Sequence, residues 1–371
     1  MSQLKTELFI NMKHYSPLIT LFLLILLVGC KKDPQEIYSE EKSGVVLICN
    51  EFYYDITLFN GEHLYFSGLD DDGDFINLTS NLADIKKQPG VLNGTGFFID
   101  ETGRILTNRH VVAPAVDKAM VRNNVNAIIE NYAQYLQSLQ DSMDQRYAAL
   151  QAYAQENTYE DVYGETYTNL SDDEIVSLQQ EAASLKEQFE EAENLKNRVR
   201  SNILNDNFSI RLHSQYGIAY DGSNVNSWDD FMKTPCTMLR VSEDANSDLA
   251  LLQLNSKTTP SDSYIFTVDN DLAASDDQLE INQTVYMIGY NNGVVLAKTD
   301  NGIRAQFTSG TITQQPDGKR VMYSIPSIPG SSGSPVVDDH GRLVAVNFAK
   351  SDGSDNFNFG IPLMRIVTFL R

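Results

Sequence analysis

Apolar residues recur every three or four positions between residues 115 and 206, whereas elsewhere they gather into short runs. The first periodic stretch carries Ile128, Ile129, Tyr132, Leu136, Leu139, Met143, Tyr147 and Leu150, with no Gly or Pro from Ala115 to Tyr163. The second opens at "SDDE", where Ser171 and Glu174 have capping-box spacing, and runs from Ile175 through Leu185 and Phe189 to Ile203. Such spacing gathers the apolar side chains on one helical face, so two amphipathic helices are predicted, joined by a polar, Tyr-rich connection around Gly164. The first would span ~60 Å if its ~40 residues stay helical. Residues 115–206 are therefore expected to form an antiparallel, coiled-coil-like helical hairpin, whose plainest role is a rigid spacer or a face for self-association or a protein partner.

On either side the pattern is that of β-strands. Val45-Val46-Leu47-Ile48, Tyr53 to Phe59 and Phe97-Phe98-Ile99 precede the periodic region. After Phe208 come "SIRLHSQYGIAY", "CTMLRVS", "LALLQL", "TVYMIGY", "GVVLAKT", "RAQFTSGTIT", "RVMYSI", "SPVVDD" and "RLVAVNF", separated by turn residues. Many short strands at close spacing predict an all-β sandwich or barrel. One β domain, residues 44–114 and 207–371, is thus interrupted by the helical insertion rather than followed by it.

The N-terminus has a different pattern. Leu18 to Val28 are apolar except for Thr20, well short of the roughly 20 residues that span a bilayer. The run suits the h-region of a signal peptide over residues 1–29, with Lys13 supplying the basic n-region and Met12 as its start. A short buried or spanning helix is the alternative. Leu27-Val28-Gly29-Cys30 resembles the bacterial lipobox, which implies lipidation at Cys30, a lipid anchor in the bacterial cell envelope and, with Lys31 next, outer-membrane sorting with periplasmic or surface exposure. Residues 30–43, charged and without apolar periodicity, are then expected to be a tether. An exported compartment permits a disulfide between Cys49 and Cys236, and two buried free thiols fit equally well.

Charge narrows the partners. With 50 acidic and 28 basic residues the chain carries −22, and it has no Lys/Arg cluster, which excludes a nucleic-acid footprint. The helical stretch alone holds 17 acidic and 7 basic side chains. "DDDGD" at 70–74 fails the calcium-loop pattern, because Gly73 stands fourth and the twelfth position is Asn81. No phosphate loop, dinucleotide fingerprint or metal-ligand cluster stands out, so neither cofactor nor metal is expected. His63, His213 and His340 have no accompanying motif and are expected to be surface or structural residues.

Three phrases carry candidate chemistry. "GTGFFIDETGRILTNRHVV" places His110 just past a strand, "SDLALLQL" places Asp248 before one, and "IPGSSGSPVV" holds Ser332 between Ser331 and Gly333. A serine hydroxyl is a poor nucleophile at neutral pH and needs a base and a group that orients the base. In that order, the phrases resemble those of trypsin-like serine peptidases of the chymotrypsin fold, nearest the Deg/HtrA branch. "IGY" at 288–290 and "FNFGIP" at 357–362 match further signposts of that branch.

The resemblance covers residues 44–114 and 207–371 and implies a double six-stranded β-barrel interrupted by the helical hairpin. It further implies a serine endopeptidase acting on envelope proteins or peptides, with His110, Asp248 and Ser332 catalytic and the N–H groups of Gly330 and Ser332 as oxyanion hole. The P1 pocket would be formed by Pro326, six before the nucleophile, and by the wall Asn347-Phe348-Ala349. The lack of an acid at 326 argues against Arg or Lys at P1, and Asn347 stands where glutamyl endopeptidases carry His, which leaves a small or medium apolar P1. Ser331 departs from the Asn usual before the nucleophile in this branch, which implies a looser oxyanion loop. A catalytically latent binding module acting through the helical insertion is therefore the alternative, and an esterase a third. The 39 residues after Ser332 are too few for a PDZ domain.

Overall fold

A computed structural model of the chain describes residues 31–244, 247–268, 279–350 and 357–371. The expected signal peptide and Cys30 lie outside the described residues. Six strands form one barrel: β1 (Val45–Thr57), β2 (Gly90–Phe98), β3 (Arg104–Thr107), β4 (Ile210–Tyr220), β5 (Pro235–Val241) and β6 (Ala250–Leu254), in the order β1-β2-β3-β6-β5-β4 with a β1–β4 pairing that closes it. Six more make a second closed barrel: β7 (Thr284–Gly289), β8 (Gln306–Gln314), β9 (Val321–Tyr323), β10 (Pro335–Asp338), β11 (Leu343–Lys350) and β12 (Asn358–Pro362). This is the double barrel with a helical insertion that the resemblance implies.

Period-two alternation explains the uninterrupted apolar runs. Val46 and Ile48 point into the first barrel with Phe98, Ile105 and Leu252, while Val45 and Leu47 face the seam that also holds Phe97, Ile288, Tyr290 and Val346. The second barrel encloses Val285, Met287, Ile312, Tyr323 and Val336. Strands covered on both faces need apolar residues at every position, and each such Ile or Val contributes about 1.5–3 kcal/mol of burial. Cys49 and Cys236 are buried and unbridged, and burial pushes both thiols up to about 12.

The chain divides into two compact units. One takes the chain up to Glu51, Val91–Pro114 and Ser214–Arg371, and the other takes Phe52–Gly90 and Ala115–His213. Residues 52–90, read from sequence as part of the β domain, therefore group with the helices. The reason lies in their polar anchors: Asn124 Nδ2 donates to the Gly73 carbonyl at 2.6 Å, and the Asn60 N–H donates to Asn202 Oδ1 at 3.0 Å. Within that unit the end of β1 pairs with His63–Phe66.

Within the expected tether, residues 31–43 are built differently. Asp33 caps a helix α1 (Pro34–Glu41) by accepting from the Gln35 N–H at 2.8 Å, and Pro34 suits the first helical position. Ile37 and Glu41, one turn apart, are fully buried. The Lys32 N–H donates to the Asp339 carbonyl at 2.9 Å and Tyr38 Oη to the Ala305 carbonyl at 3.0 Å, so the segment is fastened to its own unit. The helical pair, in contrast, follows the periodicity. Helices α2 (Lys118–Glu156) and α3 (Asp172–Arg200) run antiparallel, with Glu130 paired to Arg200, Gln140 to Glu193 and Arg146 to Glu181. Helix α2 buries Ile129, Ala133 and Leu136, and the Ser171–Glu174 capping box forms. Among the described residues no helix is long and apolar enough to cross a membrane.

Among the described residues Glu41 is the acid pushed furthest from its ordinary value. Its two carboxylate oxygens lack hydrogen-bond partners among the described residues, and Oε1 sits where a Cβ at Gly341 would fall 2.3 Å away. Burial pushes its carboxyl up to about 8 against the pull of Lys32, with Glu40 and Asp338 adding to the rise. The neutral acid is favoured only in the folded chain. Its contribution is therefore whole below pH 4.5 and declines by about 1.4 kcal/mol per pH unit as pH rises to about 8. Melting temperatures of the wild type and Glu41→Gln at the two ends of that window should diverge, with the variant losing less stability at the alkaline end. Parallel shifts in the two proteins would refute this assignment.

Candidate active site

His110 owes its position to strand register. β3 pairs antiparallel with β6, with Thr107 opposite Ala250 and Leu106 opposite Leu251, so the turn after β3 meets the segment before β6. There the Arg109 N–H and Asn108 Nδ2 both donate to the Asp248 carbonyl, at 3.2 and 2.8 Å. Asp248 in turn grips His110 twice: Oδ1 accepts from its backbone N–H at 3.0 Å, and Oδ2 meets Nδ1 at 2.5 Å. The Asp248 side chain is 22% exposed and that of His110 is 46% exposed, so the carboxylate is sheltered while the imidazole faces solvent. A ring whose Nδ1–H is spoken for presents Nε2 as its free, basic nitrogen.

Ser332 sits on a loop held from several sides. Gly330 and Gly333 take φ of +93° and +86°, where a side chain would be strained. Added Cβ atoms would also strike the Tyr290 carbonyl oxygen at 2.5 Å and the Thr95 carbonyl oxygen at 2.0 Å. Thr95, fully buried on β2, is the main fastening. Its N–H donates to the Ser332 carbonyl at 2.8 Å, its Oγ1 donates to the Gly330 carbonyl at 2.9 Å, and Oγ1 accepts from the Tyr290 N–H at 2.9 Å. Its carbonyl accepts from Thr107 Oγ1 at 2.7 Å, which ties the same residue to the strand that leads to His110.

The remaining carbonyls of the loop are held as well. That of Pro329 accepts from the Asn292 N–H at 2.5 Å, and that of Ser331 accepts from Asn347 Nδ2 at 3.0 Å and from the Ser334 N–H at 3.1 Å. Across a trans peptide the N–H points opposite to its carbonyl, so these contacts orient the N–H groups of Gly330 and Ser332. Among the described residues neither of those N–H groups has a protein acceptor. Oriented and unused donors are what an oxyanion requires.

Ser331, where a looser loop was expected, is fully buried and fastened. Its Oγ donates to the Ile328 carbonyl at 2.7 Å and lies 3.0 Å from Ser327 Oγ. Asn347 Nδ2 also reaches both of these hydroxyls at 3.1 Å, while Tyr323 Oη donates to Asn347 Oδ1 at 2.8 Å. Asn347 is thus fully buried with its amide spent on the loop. Pro326 is exposed and Phe348 half-buried, and the side chain of Ala349 lies outside what is described. Among the described residues no hydrogen bond joins Ser332 to His110. Sequence reasoning missed Thr95, Asn292 and Tyr323. Only Thr95 left a trace, inside the "GTGF" phrase.

Elsewhere, Asp338, Asp339 and His340 bring ligand-type atoms within 4.8 Å of one another. Arg342 pairs with Asp338 at 2.6 Å and Lys31 with Asp339 at 2.6 Å, so the turn is already charge-compensated by protein cations.

A family model described as a trypsin-like peptidase domain matches residues 94–240 and 233–346. None of the curated proteins matches the chain. The hydrogen-bond pattern makes its own forecast for the loop. Thr95→Val leaves the Gly330 carbonyl and the Tyr290 N–H unpaired and should cost about 1–3 kcal/mol. Asn347→Leu leaves Tyr323 Oη without its acceptor, takes a donor from Ser327 Oγ, Ser331 Oγ and the Ser331 carbonyl, and should cost more. Urea denaturation of both variants checks the order, and equal or negligible losses would contradict it.

Proposed function

Because the chain belongs to the trypsin-like peptidase domain family, we propose that it is a serine endopeptidase of the Deg/HtrA-like branch, held by lipid on Cys30 in a bacterial envelope, where it cleaves proteins. The observation that carries this proposal is the pair of oriented, unused N–H groups at Gly330 and Ser332. They belong to the loop that carries Ser332, which rests against the strand leading to the His110–Asp248 pair. The "IGY" phrase, on which the branch is proposed, has a packing role beside the loop: a Cβ at Gly289 would fall 1.9 Å from Ser334 Oγ, and the Tyr290 N–H donates to Thr95 Oγ1.

In the proposed reaction, Ser332 Oγ attacks the scissile carbonyl carbon as His110 Nε2 takes its proton. Asp248 Oδ2 accepts from Nδ1–H, keeps the ring in the productive tautomer and stabilises the imidazolium as it forms. The substrate carbonyl oxygen gains charge and accepts from Gly330 and Ser332, each donor worth about 3 kcal/mol in the transition state. Collapse breaks the C–N bond, and His110 returns the proton to the departing amine. Water deprotonated by His110 then cleaves the acyl ester and restores Ser332. At the P1 site neither Pro326 nor Asn347, with its amide engaged internally, offers a charge, which favours a small or medium apolar side chain.

One observation favours a second reading, a latent peptidase fold that binds through its helices: Ser332 makes no hydrogen bond to His110 among the described residues. Such contacts are often long before substrate binds. Labelling of residues 31–371 with a fluorophosphonate separates the two. The wild type should label, Ser332→Ala and His110→Ala should not, and Asp248→Asn should react about 10⁴-fold more slowly. Folded wild type that stays unlabelled would overturn the endopeptidase proposal.

A further inference from the structure

The connection between α2 and α3 is a built β-hairpin rather than a loose loop. Thr158–Glu160 pairs with Thr166–Thr168, with Tyr159 opposite Tyr167. Asp161 Oδ1 accepts from the N–H groups of Tyr163 and Glu165, each at 2.9 Å, and Gly164 takes φ +84° to close the turn. The Asn169 N–H donates to the Asn157 carbonyl at 2.8 Å and seals the base. This ordered tip holds large side chains in solvent: Tyr159 is 52%, Val162 92%, Tyr163 88% and Tyr167 43% exposed. The rings of Tyr159 and Tyr167 stack at 5.7 Å, forming a partly exposed aromatic plate.

The surrounding charge is of one sign. From Tyr147 to Leu185 there are eight acidic residues and no Lys or Arg. Arg146 at the near edge is already paired with Glu181 at 2.6 Å. Three occupants would cover exposed aromatics, and charge decides among them. A second copy would set one acidic tip against another, and an anionic bilayer would repel it. A cationic chain is drawn in, and its Lys or Arg side chains can lie over tyrosine faces. The hairpin is a sheet of only two strands, so its outer edges offer backbone groups to an extended segment.

We propose that the β-hairpin tip, centred on Tyr159, Tyr163 and Tyr167, is a docking surface for basic, extended polypeptide segments. It does not depend on Ser332 being reactive, since it concerns the helical unit alone. The test is fluorescence anisotropy of the protein with a labelled twelve-residue peptide of Lys, Arg and Gly. The peptide should bind, and more weakly as salt rises. Changing Tyr159, Tyr163 and Tyr167 together to Ser, which alters no charge, should weaken binding at least tenfold with the far-UV circular dichroism unchanged. Changing Glu187, Glu190 and Glu191 on α3 to Gln should weaken it far less. Absence of binding, or equal affinity in the Tyr variant, would overturn the proposal. So would a tip that instead drives dimerisation or binds phosphatidylserine vesicles.

Discussion

A peptide unit carries its N–H and its carbonyl on opposite edges, and the candidate site depends on that constraint. Gly330 and Ser332 can offer idle donors only because the carbonyls on the other side of the same peptides, those of Pro329 and Ser331, are held by Asn292 and Asn347. Thr95 holds the carbonyls of Gly330 and Ser332 and joins them to β2 and, through Thr107, to β3. Both glycines must take left-handed φ so that the loop can approach Tyr290 and Thr95 closely enough.

The same economy explains Ser331. A buried serine before Ser332 would be a weak anchor if it acted alone. Here it shares a closed set of hydrogen bonds with Ser327, Asn347 and Tyr323, all from one barrel. Buried polar groups that satisfy one another tend to select a single arrangement, because each alternative leaves one unpaired. The His110–Asp248 pair follows different logic. It is set by strand register, with the imidazole in solvent and the carboxylate sheltered, so that the ring orients without being enclosed.

What the sequence made legible follows the range of the forces involved. Helices α2 and α3 announced themselves through apolar spacing and through Ser171 and Glu174, which act over three residues. His110, Asp248 and Ser332 stood inside local phrases. Helix α1 was hidden because a charged eight-residue helix shows its apolar face through little more than Ile37. The grouping of Phe52–Gly90 with the helices rests on Asn60, Gly73 and partners far along the chain, a pairing no local pattern encodes. Asn347 is the clearest case. Its spacing from the nucleophile suggested a pocket wall, yet its amide turns inward to groups up to 24 residues away. Thr95 and Gly330 lie 235 residues apart and meet only after both barrels have formed.

The most direct measurement is a crystal structure of the protein with a peptide boronate bound covalently to Ser332. One boronate oxygen should accept from the N–H groups of both Gly330 and Ser332, with the loop carbonyls still on Thr95, Asn292 and Asn347. His110 Nε2 should then lie within hydrogen-bonding distance of the adduct, with Asp248 still on Nδ1. An adduct whose oxygens turn away from both N–H groups, or a loop that must rearrange to receive it, would contradict the claim that the donors stand ready before the substrate arrives.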